Sequence, residues 1–426
     1  MIALTTVVVL FSLSYTLALF LISRRRSGSL LPPPDRLFFV FVLPCLNEEV
    51  VIRGSLERLL ALPSADFAVL VVDDGSDDGT AEIVREFEGD RVWLLRRTPP
   101  NARQGKGEAL NAAYRHLLSE RILPVATRHA VMCVLDADGR LAENALFEVA
   151  PYFRDPLTGA VQIGVRMYNA AENVLARLQD FEFVTFTEIF QRARQQLGSV
   201  GLGGNGQFTR LTALASLGPA PWTDCLTEDL ELGVRLKLAG WINHYCPRTD
   251  VSQQAVTRLR PLVRQRSRWF QGHLQCWRQI GPVLRADLST RATVDLVFHL
   301  TSPALVLLVT PPMLAFLGGL VALAVAVGVG APLHSVAGGG GRFFAVWYVL
   351  SFGLAPFYGF AYWLQARDTS LPRAIALAHL FSVYSYVWLV AGWRAVFRVL
   401  AGRRGWAKTA RTPEVAGGPP GSPFAS

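Results

Sequence analysis

The residues best suited to chemistry in this chain are aspartates that close apolar runs. In Val131-Met132-Cys133-Val134-Leu135-Asp136-Ala137-Asp138-Gly139, five apolar residues give way to two carboxylates one residue apart. The run reads as a buried strand, so Asp136 and Asp138 fall at its carboxyl end, where open α/β sheets bind ligands. On an extended chain positions i and i+2 face the same side, and two such carboxylates can address one hard divalent cation. The plain alternative is a solvated strand end followed by an Asp-Gly turn.

Other polar residues sit at equivalent points. Leu37 to Leu43 is a strand-like run ending in Pro44-Cys45-Leu46-Asn47-Glu48-Glu49, and Phe67 to Val72 is a strand running into Asp73-Asp74-Gly75-Ser76. Val92 to Leu95 makes another short strand, and helices are expected at about Glu49 to Leu60, Thr80 to Glu88 and Glu108 to Leu118. Strands alternating with helices predict a parallel, doubly wound sheet, with its ligand over the strand ends carrying Asn47, Asp73, Asp74, Asp136 and Asp138. The loop at Gln104 to Gly107 lacks the phosphate-binding pattern GxxxxGK[ST], but Lys106 can reach a diphosphate as a point charge.

Farther along, Gln162 to Tyr168 reads as a strand and Val174 to Leu197 as one long helix. Gly201 to Phe208 is too glycine-rich for regular structure and suggests close approach of backbone to a ligand. Thr227-Glu228-Asp229 opens a helix, with Thr227 as its N-cap on the modest reading and a carboxylate beside the sheet edge on the functional one. Arg258 to Trp277 is basic and aromatic. On a helix Gln265, Arg268 and Trp269 share a side, where Arg268 can fork onto phosphate and Trp269 offers a flat surface to a sugar ring.

These residues need elements to carry them, and composition says where those lie. The chain has 426 residues, 51% of them hydrophobic, and a mean hydropathy of +0.29, with the apolar excess at the two ends. That is the distribution of a membrane protein with a soluble middle. Ile2 to Ile22 is long enough to span, and Arg24-Arg25-Arg26 after it predicts a retained anchor with its carboxyl end in the cytoplasm. Val294 to Gly330 breaks at Thr310-Pro311-Pro312 into two helices, and Phe343 to Leu364 and about Arg373 to Val396 make two more. His299 inside a span is a functional candidate, against the reading of pairing to a neighbouring helix. The net charge of +9 is carried beside these spans, which favours positive-inside topology and anionic lipid over nucleic acid. The five cysteines lack CxxC spacing and read as reduced core residues, neither zinc ligands nor disulfides.

From about Leu37 to Trp277, together with the arrangement of spans, the chain resembles the membrane-integrated family 2 glycosyltransferases, which include cellulose, chitin, hyaluronan and poly-N-acetylglucosamine synthases. Four motifs occur in the family's order: Asp73-Asp74-Gly75-Ser76, Asp136-Ala137-Asp138, Thr227-Glu228-Asp229 and Gln265-Arg266-Ser267-Arg268-Trp269. The resemblance implies a GT-A-type fold, doubly wound and mostly parallel, plus an α-helical transmembrane region. It implies that the first aspartate motif, with Asn47 and Glu48, holds the uridine of a UDP-sugar of glucose or N-acetylglucosamine type. Lys106 would contact the diphosphate, Asp138 with Asp136 would bind Mg²⁺ or Mn²⁺, and Gln265 and Arg268 would close over it. Asp229 would be the general base, with Glu228 beside it, and Trp269 would line the acceptor site. A single amino-terminal span departs from the longest synthases and leaves processivity open.

The expected organisation is an anchor at 1–23, a cytoplasmic catalytic domain at 35–257, interfacial helices at 258–290, about four membrane helices at 294–400 and a disordered tail at 409–426. The expected protein is a multi-pass enzyme of the cell membrane with its catalytic domain in the cytoplasm. Three functions follow. It extends a β-linked polysaccharide, it adds one sugar to a membrane lipid, or it binds nucleotide or polymer without catalysis.

Overall fold

The computed structural model describes residues 2–25, 32–34, 36–119, 122–308, 352–366, 368–403 and 411, with isolated positions between 310 and 349. Helix α1 (Ile2–Ser23) precedes an eight-stranded sheet. Its strands are β1 (Phe38–Cys45), β2 (Phe67–Asp73), β3 (Val92–Arg96), β4 (Ala130–Val134), β5 (Arg140–Leu141), β6 (Thr158–Met167), β7 (Gln207–Arg210) and β8 (Ile242–Gln253), in the spatial order β3-β2-β1-β4-β7-β6-β8-β5. β3, β2, β1 and β4 run parallel to one another, as do β6 and β8; β7 runs antiparallel to β4 and β6, and β5 antiparallel to β8. The glycine-rich stretch expected to be irregular therefore ends in a strand. Gly206 takes φ +68°, which glycine adopts without strain, and a side chain there would meet Ile163 and Val251.

Helices α2 (Ile52–Leu60), α3 (Thr80–Arg85) and α4 (Lys106–Ser119) follow the first three strands, and α5 (Ala145–Val149) follows β5. β1, β2 and β4 are apolar throughout apart from Asp73 at the end of β2, because both faces are covered. Phe41, Leu43, Val69, Val71, Val131 and Cys133 pack with Ile52, Leu56 and Leu59 of α2. The alternate residues Val40, Val42, Leu70, Val72, Met132 and Val134 pack with Leu110, Ala113, Tyr114 and Leu117 of α4. β4 leaves β1 after Val42, so Pro44 falls in a half-paired stretch that tolerates its missing N–H.

The expected long helix divides in three: α6 (Val174–Thr185), a π-helical turn at Phe186–Gln191 and α7 (Arg192–Leu197). The wider turn changes which faces meet the sheet, and Gln191 donates from Nε2 to the Gly201 carbonyl at 2.8 Å. Helices α8 (Leu211–Ala215), α9 (Glu228–Leu238), α10 (Leu259–Gln275), α11 (Ile280–Arg285) and α12 (Thr290–Leu308) come next, followed by α13 (Ala355–Trp363), α14 (Leu371–Tyr384) and α15 (Tyr386–Leu400).

Among the described residues, one helical stretch, Leu371–Leu400, is long and apolar enough to cross a membrane by length and composition. Leu10–Ser23 is a shorter apolar helix. The expected break at Thr310-Pro311-Pro312 lies mostly outside the described residues, as does the rest of the tail from 412 onward.

Polar hubs fasten these helices to the sheet domain. Asp295 of α12 is fully buried and accepts from Tyr15 of α1 at 2.8 Å, Arg194 of α7 at 3.1 Å and Ser199 at 2.7 Å. Glu182 of α6 accepts from Arg266 of α10 at 2.6 Å, Tyr384 at 2.8 Å and Trp388 at 2.6 Å. Each hub satisfies a carboxylate that water does not reach freely.

Candidate active site

The carboxyl edge of the sheet gathers the expected residues. β4 ends at Val134, and the Asp136 carbonyl accepts from Gly139 N–H at 2.8 Å to close a turn. A Cβ at Gly139 would stand 2.9 Å from that carbonyl, so glycine is required there. Asp136 and Asp138 thus converge through a turn and not through strand alternation. Ser55 of α2 fixes the loop from below, donating to the Ala137 carbonyl at 2.6 Å.

Two cations meet this pair. Lys106, at the first turn of α4, donates to Asp136 at 2.6 Å and to the Gly204 carbonyl at 2.8 Å. Arg411 approaches from the other side, 2.8 Å from Asp138 and 3.9 Å from Asp136. Arg411 falls within the stretch expected as a tail, and its side chain is 14% exposed and ion-paired with Asp138. No local signal marks it, because its partners lie far away along the chain. Burial works against the Asp136 carboxylate, but Lys106 and Arg411 outweigh it and hold its pKa below the usual range. Burial pushes the Asp138 carboxyl up despite Arg411.

Beside Lys106 lies a second acidic pair. The nearest point is Gly204, where a Cβ would meet both Asp229 Oδ2 and Lys106 Nζ at 3.1 Å. Burial, and then the Asp229 charge, pushes Glu228 up to about 7; burial raises Asp229 as well. Thr227 occupies the N-cap position of α9, as its type suggests, but its side chain makes no capping bond. Its hydroxyl instead lies 3.6 Å from the Cys225 sulfur and 3.5 Å from that of Cys276.

On α10, Arg268 feels the charges of Glu228, Asp136 and Asp229, in that order. Its neighbours diverge from it. Gln265 accepts from Arg266 at 3.1 Å, and the Trp269 ring lies 4.1 Å from the same guanidinium. Arg266 is fully buried and was assigned no role from the sequence, yet it ties the motif to Glu182 and the carboxyl-terminal helices.

The first acidic motif is more internally committed. Asp73 is fully buried and accepts from Ser76 N–H at 2.8 Å, while Asp74 pairs with Arg97 at 2.6 Å. Exposed Asn47 has φ +56°, donates its N–H to Ser76 at 2.9 Å and accepts from Asp77 N–H at 3.0 Å. Glu48 donates its N–H to Thr80 at 2.8 Å. Arg97 and Arg103 were not singled out from the sequence; Arg103 donates to the Gly75 carbonyl at 2.6 Å and shapes this rim.

The donor set suits a hard cation. Among the described residues, Asp138 Oδ1 is sealed from solvent and met as an ion pair by Arg411, with no hydrogen bond. Among the described residues no group of three or more His, Cys, Asp and Glu forms a metal cluster. Two carboxylates with remaining positions left to phosphate oxygens and water match Mg²⁺ or Mn²⁺.

Residues 33–272 match the family described as Glycosyltransferase like family 2. The chain belongs to that family. It is 34% identical over 318 residues to the β-monoglucosyldiacylglycerol synthase of Nostoc sp. (strain PCC 7120), covering 70% of this chain and 65% of that protein. It is 30% identical over 234 residues to the poly-β-1,6-N-acetyl-D-glucosamine synthase of Staphylococcus aureus, covering 54% of this chain and 53% of that one. The family 2 chain thus spans less than two thirds of the length of these relatives. Its fold resembles the mannosyltransferase PcManGT from Pyrobaculum calidifontis, solved with GDP-Man and Mn²⁺, with a TM-score of 0.60 and 17% identity over 94% of this chain and 99% of that one. The mixed, curled sheet is the GT-A fold.

Proposed function

We propose that this protein transfers a glucose- or N-acetylglucosamine-type sugar from its UDP donor to a hydroxyl of a membrane lipid, inverting the anomeric centre. The observation carrying this reading is the convergence of Lys106, Arg268, Asp136, Asp138, Glu228 and Asp229 on one sheet edge. The lipid acceptor is favoured because likeness to the glucolipid synthase runs over 318 residues, against 234 for the polymer synthase. Extension of a β-linked polysaccharide is the second reading, supported by that shorter likeness. In either case the apolar helices would make this a multi-pass protein of the cell membrane with its catalytic edge in the cytoplasm.

Asp229 is the general base: it takes the proton of the acceptor hydroxyl as that oxygen attacks the anomeric carbon. The bond to the diphosphate breaks on the opposite face, so no protein nucleophile is needed and configuration inverts. Lys106 and Arg268 offer positive charge to the departing diphosphate. Asp136 and Asp138 would hold the divalent cation, which when bound neutralises charge on the diphosphate. Asn47, Glu48, Asp73 and Asp74 shape the nucleoside end, and Gln265 and Trp269 brace α10 toward the acceptor.

Purified protein incubated with UDP-sugars and Mn²⁺, with and without lipid extract, separates the readings. Lipid-dependent UDP release with a product heavier by one sugar supports the lipid acceptor; a long product formed without lipid supports the polymer. Absence of release with every donor would sink both. Asp229→Asn should keep donor binding and lose roughly two to four orders of magnitude in turnover; near-normal turnover would remove Asp229 as the base.

A further inference from the structure

The cysteines carry no spacing that pairs them, but the fold brings two of them together. The sulfurs of Cys225 and Cys276 lie 3.6 Å apart, although 51 residues separate them along the chain. Cys225 stands in the loop leading into Thr227-Glu228-Asp229, and Cys276 directly follows α10, which carries Arg268. Both are free thiols.

Several bonds hold the two backbones in this relation. Glu231 of α9 accepts from Thr223 on one side and from Arg278, at 2.8 Å, and Gln279, at 2.9 Å, on the other. Leu226 N–H donates to Gln275 at 2.8 Å. The sulfurs are therefore presented to each other by the scaffold. A disulfide bond is about 2.05 Å long, so closure asks for a movement of roughly 1.5 Å. The thiols are buried, while the adjoining residues Asp224 and Trp277 are exposed. A hydrogen bond from Cys276 holds the Cys225 thiol below its usual range against the effect of burial, which makes Cys225 the better nucleophile.

We propose that Cys225 and Cys276 form a dithiol modification site that a hydroperoxide closes into a disulfide. The Cys225 thiolate attacks one peroxide oxygen, giving the sulfenic acid and hydroxide. Cys276 then attacks the sulfenic sulfur, forming the S–S bond as hydroxide leaves and takes up the Cys276 proton. Two thiols lose two electrons and one hydrogen peroxide becomes two waters. The bond fastens the loop that leads into α9, the helix carrying Asp229, to the end of α10. Simple thiol packing in a core would leave both cysteines unchanged under the same treatment.

The test uses the full chain, purified reduced in detergent and treated with hydrogen peroxide before alkylation and peptide mass spectrometry. The expected result is a linked Cys225–Cys276 peptide about 2 Da lighter than its two thiol peptides, a fall from five free thiols to three, and reversal by dithiothreitol. Cys276→Ser should leave Cys225 as a sulfenic acid trapped by dimedone, with no link. Cross-linking in the wild type stands even if that variant misfolds. Five thiols remaining, a link to another cysteine, or oxidation to sulfinic acid without a link would each overturn the proposal. None of these readings needs a donor or an acceptor, so loss of the transferase reading would leave the result intact.

Discussion

Replacing Arg411 tests how the cation site is balanced. Its guanidinium stands 2.8 Å from Asp138 and 3.9 Å from Asp136, inside the space a shared divalent cation would need. At an effective dielectric of about 20 the shorter contact alone is an attraction of about 6 kcal/mol. Desolvation of both groups removes most of that, leaving a net of about 1.5–3 kcal/mol for a charged contact of this kind. A cation must displace that contact, and each 1.4 kcal/mol is about a factor of ten. Arg411→Ala should therefore tighten Mn²⁺ binding by roughly ten- to hundredfold, and Arg411→Lys by less. Titration followed by the electron paramagnetic resonance signal of free Mn²⁺, without nucleotide, reads this directly. An unchanged or weaker Mn²⁺ affinity in Arg411→Ala would refute the competition. Weaker UDP binding with unaltered Mn²⁺ affinity would instead mean that Arg411 faces the diphosphate.

Folding holds a proton on Glu228 up to about 7 that an unfolded chain releases near 4.5, so the native state binds more protons in that window and stability falls as pH rises through it. Turnover runs the other way, with kcat/KM rising through an apparent pKa near 7 that belongs to the Glu228–Asp229 pair; Glu228→Gln should move that limb down, and a pH profile decides. Gly272→Ala places a methyl 2.6 Å from the Thr227 backbone nitrogen, so it should push α10 from the start of α9, which carries Asp229, lowering turnover at retained UDP affinity; calorimetry and initial rates together check this. Arg266→Ala strips the fully buried partner from Glu182 and should cost about 3–5 kcal/mol, seen as a lower thermal midpoint in detergent; a midpoint within error of wild type would remove Arg266 as the tie to the carboxyl-terminal helices.

Much of the candidate edge is legible because its signals are local. An apolar run that ends in acids marks a buried strand and its carboxyl end, and β1, β2 and β4 lie where those runs put them. Asp136 and Asp138 follow such a boundary, whereas Lys106, Glu228 and Asp229 open helices and are marked by the family's motif order. The π turn at Phe186–Gln191 was not visible, since its residues have the composition of an ordinary helix and one extra residue per turn depends on packing. Thr227 reads as a cap by type, but tertiary contact turned its hydroxyl toward two sulfurs instead.

What the amino-acid order determined by itself is the alternation of buried strands and helices, the apolar ends and the acids at the strand tips, because these rest on neighbours within a few residues. What only the tertiary structure decided is every pairing across a long separation: Arg411 with Asp138, Glu182 with Arg266 and Tyr384, Asp295 with Tyr15 and Arg194, and Cys225 with Cys276. Charges and thiols interact over a few ångströms of space, and nothing in their local sequence records which distant residue the folded chain will bring within that range.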